Sequence, residues 1–411
     1  MAYDIERVRS AFPALKDGTA YFDGPGGSQV PAVVAEAIAS TMTTGLSNRG
    51  TVTAAERHAD EVVTGARSAV ADLLDVGAGG VVFGRSMTQL TFDLARSLAR
   101  EWGPGDEVVV TRLDHDADIR PWVIAAGTVG ATVRWVDFDP ESAELRWDAD
   151  VLSERTRLVA VTGASNLLGT RPDLPRIAGD VHAAGARLFV DGVHLTPHAS
   201  VSVPALGADF FACSPYKFFG PHLGVLAAAP ELLETVHPDK LLPATDAVPE
   251  RFELGTLPYE LLAGVTAAVD FIADLAGSGS GPRRDRLVES MTVVEEHEER
   301  LFGRLLSGLR DLARVTTYGD PARRTPTVLF SVDGVDSAQV YRDLAERGVN
   351  APASNFYALE ASRRLGLGDQ GAIRAGLAPY TSDDDIDRLL AGVAAIAETA
   401  EIAETAETAA R

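Results

Sequence analysis

Five polar features fall just behind apolar runs that read as strands. Lys217 sits in "SPYKFFGPHLG", directly after "ADFFAC". Asp191 ends "RLFVD", 26 residues earlier. Asn166 follows "RLVAVTGAS", and His115 follows "EVVVTRLD". The fifth is the turn "FGRSMTQ", with Ser86, Met87 and Thr88, which opens a helical pattern. Such a turn can hold a phosphate with backbone N–H groups and the helix dipole. Taken singly, each has an ordinary structural reading: a cap, a turn former, a satisfied polar group. The ordered set is the specific signal. An amine, a carboxylate, a flat ring and an anion-binding helix start are the parts that pyridoxal 5'-phosphate chemistry requires. The amine condenses with the aldehyde, and the carboxylate keeps the pyridine nitrogen protonated. The helix start takes the phosphate, and the flat side chain covers the ring.

The elements around these residues are consistent with that use. Apolar runs recur from 81 to 229: "VVFG", "EVVVT", "TVRWVDF", "RLVAVTG", "RLFVD", "ADFFAC" and "GVLAAA". Helical patterns such as "MTQLTFDLARSLAREW" and "LPRIAGDVHAAGA" fill most of the gaps. Strands alternating with helices predict a mainly parallel sheet covered on both faces. Ligands in such sheets lie beyond the carboxyl ends of the strands, where the polar residues fall. "AGSGSGPRRDR" (276–286) is a polar break. A long helix follows, with Met291, Val294, Leu301, Leu305 and Leu312 on one face. Next come the strand "TPTVLFSV", the helix "SAQVYRDLAERG" and an irregular stretch to about 371. Ser382 and Asp385 form a capping-box pattern before the last helix, which ends in "IAETAE" near-repeats.

Composition narrows the class. Of 411 residues, 46% are hydrophobic and 23% charged, ordinary for a globular protein with a large core. The net charge of −22 disfavours a nucleic-acid surface, which needs clustered Lys and Arg. No apolar run is long enough to predict a transmembrane helix, so no membrane partner is expected. The first residues are charged throughout and lack a signal-peptide core, which reads as cytoplasmic. One cysteine, Cys213, excludes an internal disulfide framework and a thiolate zinc site. His194 and His198 are four apart with Pro197 between them, a poor helical metal pair.

"VDGVHLTPHASVSVPALGADFFACSPYKFFGPHLGVL" resembles the cofactor-lysine region of class V aminotransferases, the group that includes cysteine desulfurases. The resemblance extends from "YFDGPGGSQVP" at 21 to "IRAGLAPYTSDDDIDRLL" at 373. It implies fold type I: α/β, with a mainly parallel seven-stranded sheet in a large domain and a smaller α/β C-terminal domain. The boundaries read as an N-terminal segment 1–20 packing on the small domain, a large domain 21–275, a small domain 285–395 and an acidic helical tail 396–411. By position, the resemblance makes Lys217 the Schiff-base lysine and proton shuttle. Asp191 becomes the partner of the pyridine nitrogen and His115 the residue stacked on the ring. Asn166 would contact the ring oxygen or substrate, and His194, where many relatives have Gln, would lie near the same oxygen or the phosphate. Ser86, Met87, Thr88 and Ser214 would hold the phosphate. Thr256 in "FELGT" would reach the phosphate of a neighbouring subunit, implying a homodimer with shared sites. Arg374 would pair with a substrate carboxylate, with Gly26 and Tyr357 nearby.

The departures from that pattern bear on the reaction. Desulfurases carry a nucleophilic cysteine on the loop before the arginine. Here "GVNAPASNFYALEASRRLGLGDQG" has none, and Asn355, Phe356 and Tyr357 occupy the neighbourhood. The expectation is a cysteine desulfurase-like enzyme without persulfide chemistry, foremost a C–S or β-eliminating lyase acting on an amino acid. Transamination, with Lys217 moving a proton between Cα and the cofactor, is the alternative, and epimerisation with Tyr357 as a second proton donor follows it. A pyridoxal phosphate-binding protein without catalysis is a further reading. An NAD-dependent dehydrogenase built on Gly24, Gly26 and Gly27 is remote: Gln29 replaces the third glycine, and "TTGL" lacks the expected acid.

Overall fold

The computed structural model describes residues 3–410. Its strands are β1 (Ala20–Tyr21), β2 (Val81–Gly84), β3 (Glu107–Thr111), β4 (Thr132–Val136), β5 (Thr156–Thr162), β6 (Arg187–Asp191), β7 (Phe210–Cys213) and β8 (Gly224–Ala228). Toward the C-terminus follow β9 (Val315–Tyr318), β10 (Thr327–Val332), β11 (Val349–Asn350), β12 (Ala353–Ser354) and β13 (Ala372–Gly376). Seven of them form one sheet in the order β2-β8-β7-β6-β5-β3-β4. Strand β8 runs antiparallel to β2 and β7, and the remaining pairs are parallel.

The uninterrupted apolar runs follow from burial on both faces. Along β3, Val109 points into one core while Val108 and Val110 point into the other. Strand β6 repeats the alternation with Leu188 and Val190 against Phe189. Helices Ala54–Leu74, Leu174–Ala183 and Tyr259–Ala273 cover the first face. Met87–Leu98 and Arg120–Val129 cover the second. The chain runs outward from β3 to β4, then returns to β5 on the other side of β3. That reversal opens a crevice at the carboxyl ends of β3 and β5.

The C-terminal sheet is antiparallel, ordered β12-β13-β10-β9, and packs on helices Ser337–Glu346 and Asp383–Ala410. Ser382 and Asp385 make the reciprocal cap at the start of the last helix, which continues through the acidic near-repeats. Helix Arg283–Arg310 serves two cores. Leu287, Met291 and Val294 pack under the large sheet, whereas Leu301, Leu305 and Leu309 pack under the small one. The stretch read as irregular contains β11, β12 and helix Leu359–Arg364.

Residues 3–20 contact both parts of the chain. Val8 and Phe12 enter the core of the large sheet, and Phe12 meets Phe219, Phe271 and Tyr380 edge-on. Arg9 bonds to the Tyr380 carbonyl and Asp385, so the segment ties the large core to the last helix. On the small side, β1 pairs with β11, Ala20 enters its core, and the Gly18 carbonyl accepts from Arg388 of the last helix. The buried face of the helix Ile5–Ser10 is short, and its sequence carries no label for which core receives it.

Candidate active site

A cavity of about 600 Å³ opens at the crevice, lined by the ends of β3, β5, β6 and β7 and by residues of the C-terminal part. Lys217, Asp191, His115, Asn166, His194, Met87, Thr88, Ser214, Gly26, Tyr357 and Arg374 all line it. Lys217 closes the turn Pro215–Lys217 behind β7, and its Nζ donates to the Pro25 carbonyl. Burial, reinforced by the Arg374 charge and opposed by Asp23 and Asp191, pulls the amine down to about 7. Asp191 is the last residue of β6, and its Oδ1 accepts from Val193 N at 2.9 Å. Burial raises it to about 6, against the pull of that N–H and of Lys217. A cation placed beside it would draw it back down.

His115 follows β3 and caps the turn Asp116–Asp118, its Nδ1 accepting from Ala117 N at 3.0 Å. Burial and the nearby Lys217 charge hold the ring down to about 4, so it is neutral, with its proton on Nε2. Asn166 donates from Nδ2 to the Phe356 carbonyl at 2.9 Å, leaving Oδ1 without a protein partner. The Nε2 of His194 lies 3.0 Å from both the Thr325 and Thr327 hydroxyls, and its Nδ1 is unpartnered. Arg374 sits over Phe356, 3.7 Å from the ring centroid. It donates to the Asn166 carbonyl at 3.0 Å and to Asp23 Oδ1 at 2.6 Å, while its Nε has no partner.

Ser86 caps helix Met87–Leu98, its side chain accepting from Gln89 N at 3.1 Å. The helix start closes tightly on β8. A Cβ at Gly224 would lie 2.2 Å from the Ser86 carbonyl carbon, so only glycine fits there.

The sequence profile of the class-V aminotransferases matches residues 20–389. The chain belongs to the class-V aminotransferase family. "Uncharacterized protein MT3887" of Mycobacterium tuberculosis is 35% identical to it over 96% of this chain and 100% of its own length. "Aminotransferase-like protein FGM3" of Gibberella zeae is 32% identical over 96% of this chain and 99% of its own. The cysteine desulfurase CsdA of Escherichia coli superposes with a TM-score of 0.84 at 26% identity, covering 96% of this chain and 98% of that one.

Class-V aminotransferases use pyridoxal 5'-phosphate, and the cavity fits it. Two buried polar atoms, Asn166 Oδ1 and His194 Nδ1, have no protein partner in residues that face the space. A dry carboxylate and a deprotonatable amine line the same space, next to a capped helix start. When bound, the cofactor supplies an electron sink for charge at Cα. The dinucleotide reading of Gly24, Gly26 and Gly27 is overturned. Their turn follows β1, which lies outside the seven-stranded sheet, and Gly24 packs against the Leu377 carbonyl.

Two expected residues stand apart from this cavity. Ser86 does not line it, its oxygen being committed to the cap. Thr256 is exposed and contributes nothing to the cavity of its own chain. Other residues were missed from sequence. Asp23 is the partner of Arg374, and Tyr216 packs between Lys217 and His222; Phe356, named above only as part of the loop, stacks on Arg374. Asp23 had a signal: in "YFDGPGG" it ends a short apolar run before a glycine turn, as Asp191 does.

Proposed function

We propose that this protein is a pyridoxal phosphate-dependent lyase that cleaves a C–S or comparable β-bond of an amino acid and releases the leaving group free. The observation that carries this reading is the pairing of an amine poised near neutrality with the lack of any thiol at the cavity. Lys217, at about 7, is available both as free amine and as ammonium at physiological pH, which suits a group that takes the Cα proton and gives one back. Phe356 and Tyr357 hold the loop position at which desulfurases carry their cysteine, and both line the cavity. Cys213 is buried in β7, its thiol pushed up to about 12 by burial, so it supplies no thiolate. Arg374, with Nε free, offers a second N–H beside its Asp23 contact for a substrate carboxylate.

A homodimer with shared sites is part of the same reading. Met42, Val52, Leu241, Leu242 and Leu254 are exposed, and Leu242 is 96% accessible. Exposed large apolar side chains in the 241–254 stretch favour a covering partner. Thr256 lies two residues from Leu254, is exposed and does not line its own cavity, which supports a role toward a second copy's phosphate.

The test is an amino-acid panel with the purified protein and mass detection of keto acid, ammonia and sulfide or thiol. Keto acid with matching ammonia and leaving group supports the lyase. Keto acid without ammonia, formed only when an amino-group acceptor is present, establishes transamination instead. Cys213→Ser should leave turnover nearly unchanged, and a protein persulfide that disappears in this variant would overturn the mechanism.

A further inference from the structure

Behind the cavity lies a cluster of carboxyl groups that the proposed reaction does not use. Asp114 and Asp118 flank His115 on the turn between β3 and helix Arg120–Val129, and both are fully buried. The Thr111 hydroxyl donates to Asp114 Oδ2, and Trp122 Nε1 donates to Asp118 Oδ1 at 3.1 Å. The remaining oxygens, Asp114 Oδ1 and Asp118 Oδ2, have no donor. The two side chains are nevertheless within hydrogen-bonding reach of each other. Among the described residues, no Lys, Arg or His bonds to either. The charged group turned toward both is Asp191 of β6, and from β5 the Thr162 backbone faces Asp114.

Two ionised carboxylates four residues apart on one buried turn leave their remaining oxygens unsatisfied and repel each other in a dry site. One retained proton resolves both faults, because an acid O–H can donate across the gap. We propose that Asp118 keeps its proton and donates it to Asp114, so that the pair clamps the turn presenting His115 and leaves Asp191 as the full negative charge facing the cofactor nitrogen. Both are positioning residues. Thr111, Asp114, Asp118 and Trp122 then form one hydrogen-bonded chain along the turn, and His115 rides on its outer side. Burial pushes Asp114 up to about 8 and Asp118 well above the ordinary carboxylate range, in the same direction.

The test compares Asp118→Asn with Asp118→Leu in the full-length protein, with and without pyridoxal phosphate. An Asn amide donates to Asp114 and accepts from Trp122 as the protonated acid does, whereas Leu does neither. Asp118→Asn should keep the wild-type absorption band of the bound cofactor and bind it within about twofold, and Asp118→Leu should weaken binding about tenfold or more. In the cofactor-free protein, the infrared band of a protonated carboxyl should be present at pH 7 and lost in Asp118→Asn. The sign of the pH effect follows from raised carboxyl values. The native chain holds more protons than the unfolded chain between the ordinary carboxylate range and about 8, so wild-type stability falls as pH rises through that window. The melting temperature of wild type should therefore drop relative to Asp118→Asn from pH 5 to 9. This inference rests on the cofactor reading, but the melting and infrared arms do not need the cofactor. If Asp118→Asn loses the cofactor as Leu does, or if the melting curves run parallel and the carboxyl band survives, the shared proton is refuted. Should Asp118→Leu fail to fold, the Asn comparison and the infrared band decide alone.

Discussion

Lys217→Met should make the cofactor-free protein more stable at neutral pH, even though it removes the residue on which the chemistry depends. Burial and the Arg374 charge hold the amine at about 7, against an ordinary value of 10.5. Between those two values the native chain binds fewer protons than the unfolded chain, so stability climbs with pH across the window. At and below pH 7 the lysine carries nearly its whole penalty, about 4 kcal/mol by linkage. Water in a cavity of about 600 Å³ relieves part of that. Methionine also gives up the bond to the Pro25 carbonyl, worth ~1 kcal/mol. The net gain should be ~1–3 kcal/mol at pH 7, or a few degrees of melting temperature. It should shrink toward zero or reverse by about pH 10.5. The assay is thermal melting of both proteins, stripped of cofactor, across pH 6 to 10.5. Added pyridoxal phosphate should restore the advantage of wild type, which alone can bind it covalently. A variant less stable than wild type at pH 7 without cofactor, or a difference that stays constant across the range, would refute the reasoning.

Asp191→Asn should still bind cofactor weakly but exchange the substrate α-proton about 10²-fold more slowly, read by deuterium incorporation; near wild-type exchange counts against the pyridine-nitrogen role. Arg374→Lys should raise KM about tenfold or more with a smaller change in kcat, because a single ammonium cannot match the guanidinium fork; steady-state kinetics with an unchanged KM would remove the carboxylate-binding role. Tag-selected mixed dimers of Lys217→Ala and Thr256→Ala subunits should recover roughly half of wild-type turnover, since one site then carries neither lesion. A fully active monomer would exclude shared sites.

The seven runs read as strands between 81 and 229 are strands in the structure, and Lys217, Asp191, Asn166 and His115 stand at their ends around one cavity. That much is local information: β-branched runs, flanking helical periodicity and a polar residue at each carboxyl end. What escaped is relational. Nothing in "GVLAAA" announces that β8 runs antiparallel, because a strand buried on both faces reads alike in either direction. Val8 and Phe12 form too short a pattern to declare which core receives them. Asp23 and Arg374 are 351 residues apart, and their ion pair exists only once β13 lies beside the turn after β1. Asp114 and Asp118 read as polar residues bracketing a histidine. Their burial, and with it their chemical interest, comes from helices Met87–Leu98 and Arg120–Val129 and strand β5 packing around their turn.

The long helix Arg283–Arg310 has a mechanical consequence. At 1.5 Å per residue its 28 residues make a rod of about 42 Å, embedded at one end under the large sheet and at the other under the small one. A rigid swing of one sheet against the other would have to uncover Leu287, Met291 and Val294 or Leu301, Leu305 and Leu309, and each such side chain costs about 2 kcal/mol to expose. The rod therefore makes wide hinge motion expensive, and a lighter link between the two parts is the segment Asn355–Tyr357 at the cavity. It meets the large side through two backbone carbonyls, Phe356 to Asn166 Nδ2 and Tyr357 to Asp116 N, through Phe356 packed on the cluster of Leu113 and Leu167, and through Tyr357 against the His115 ring, and it holds two consecutive aromatic residues at positive φ. Its backbone is held in a conformation that aromatic residues adopt at a cost, so the surrounding contacts over-determine it. The shared rod thus couples the two sheets mechanically, and the cavity that holds Lys217 lies between elements joined by it.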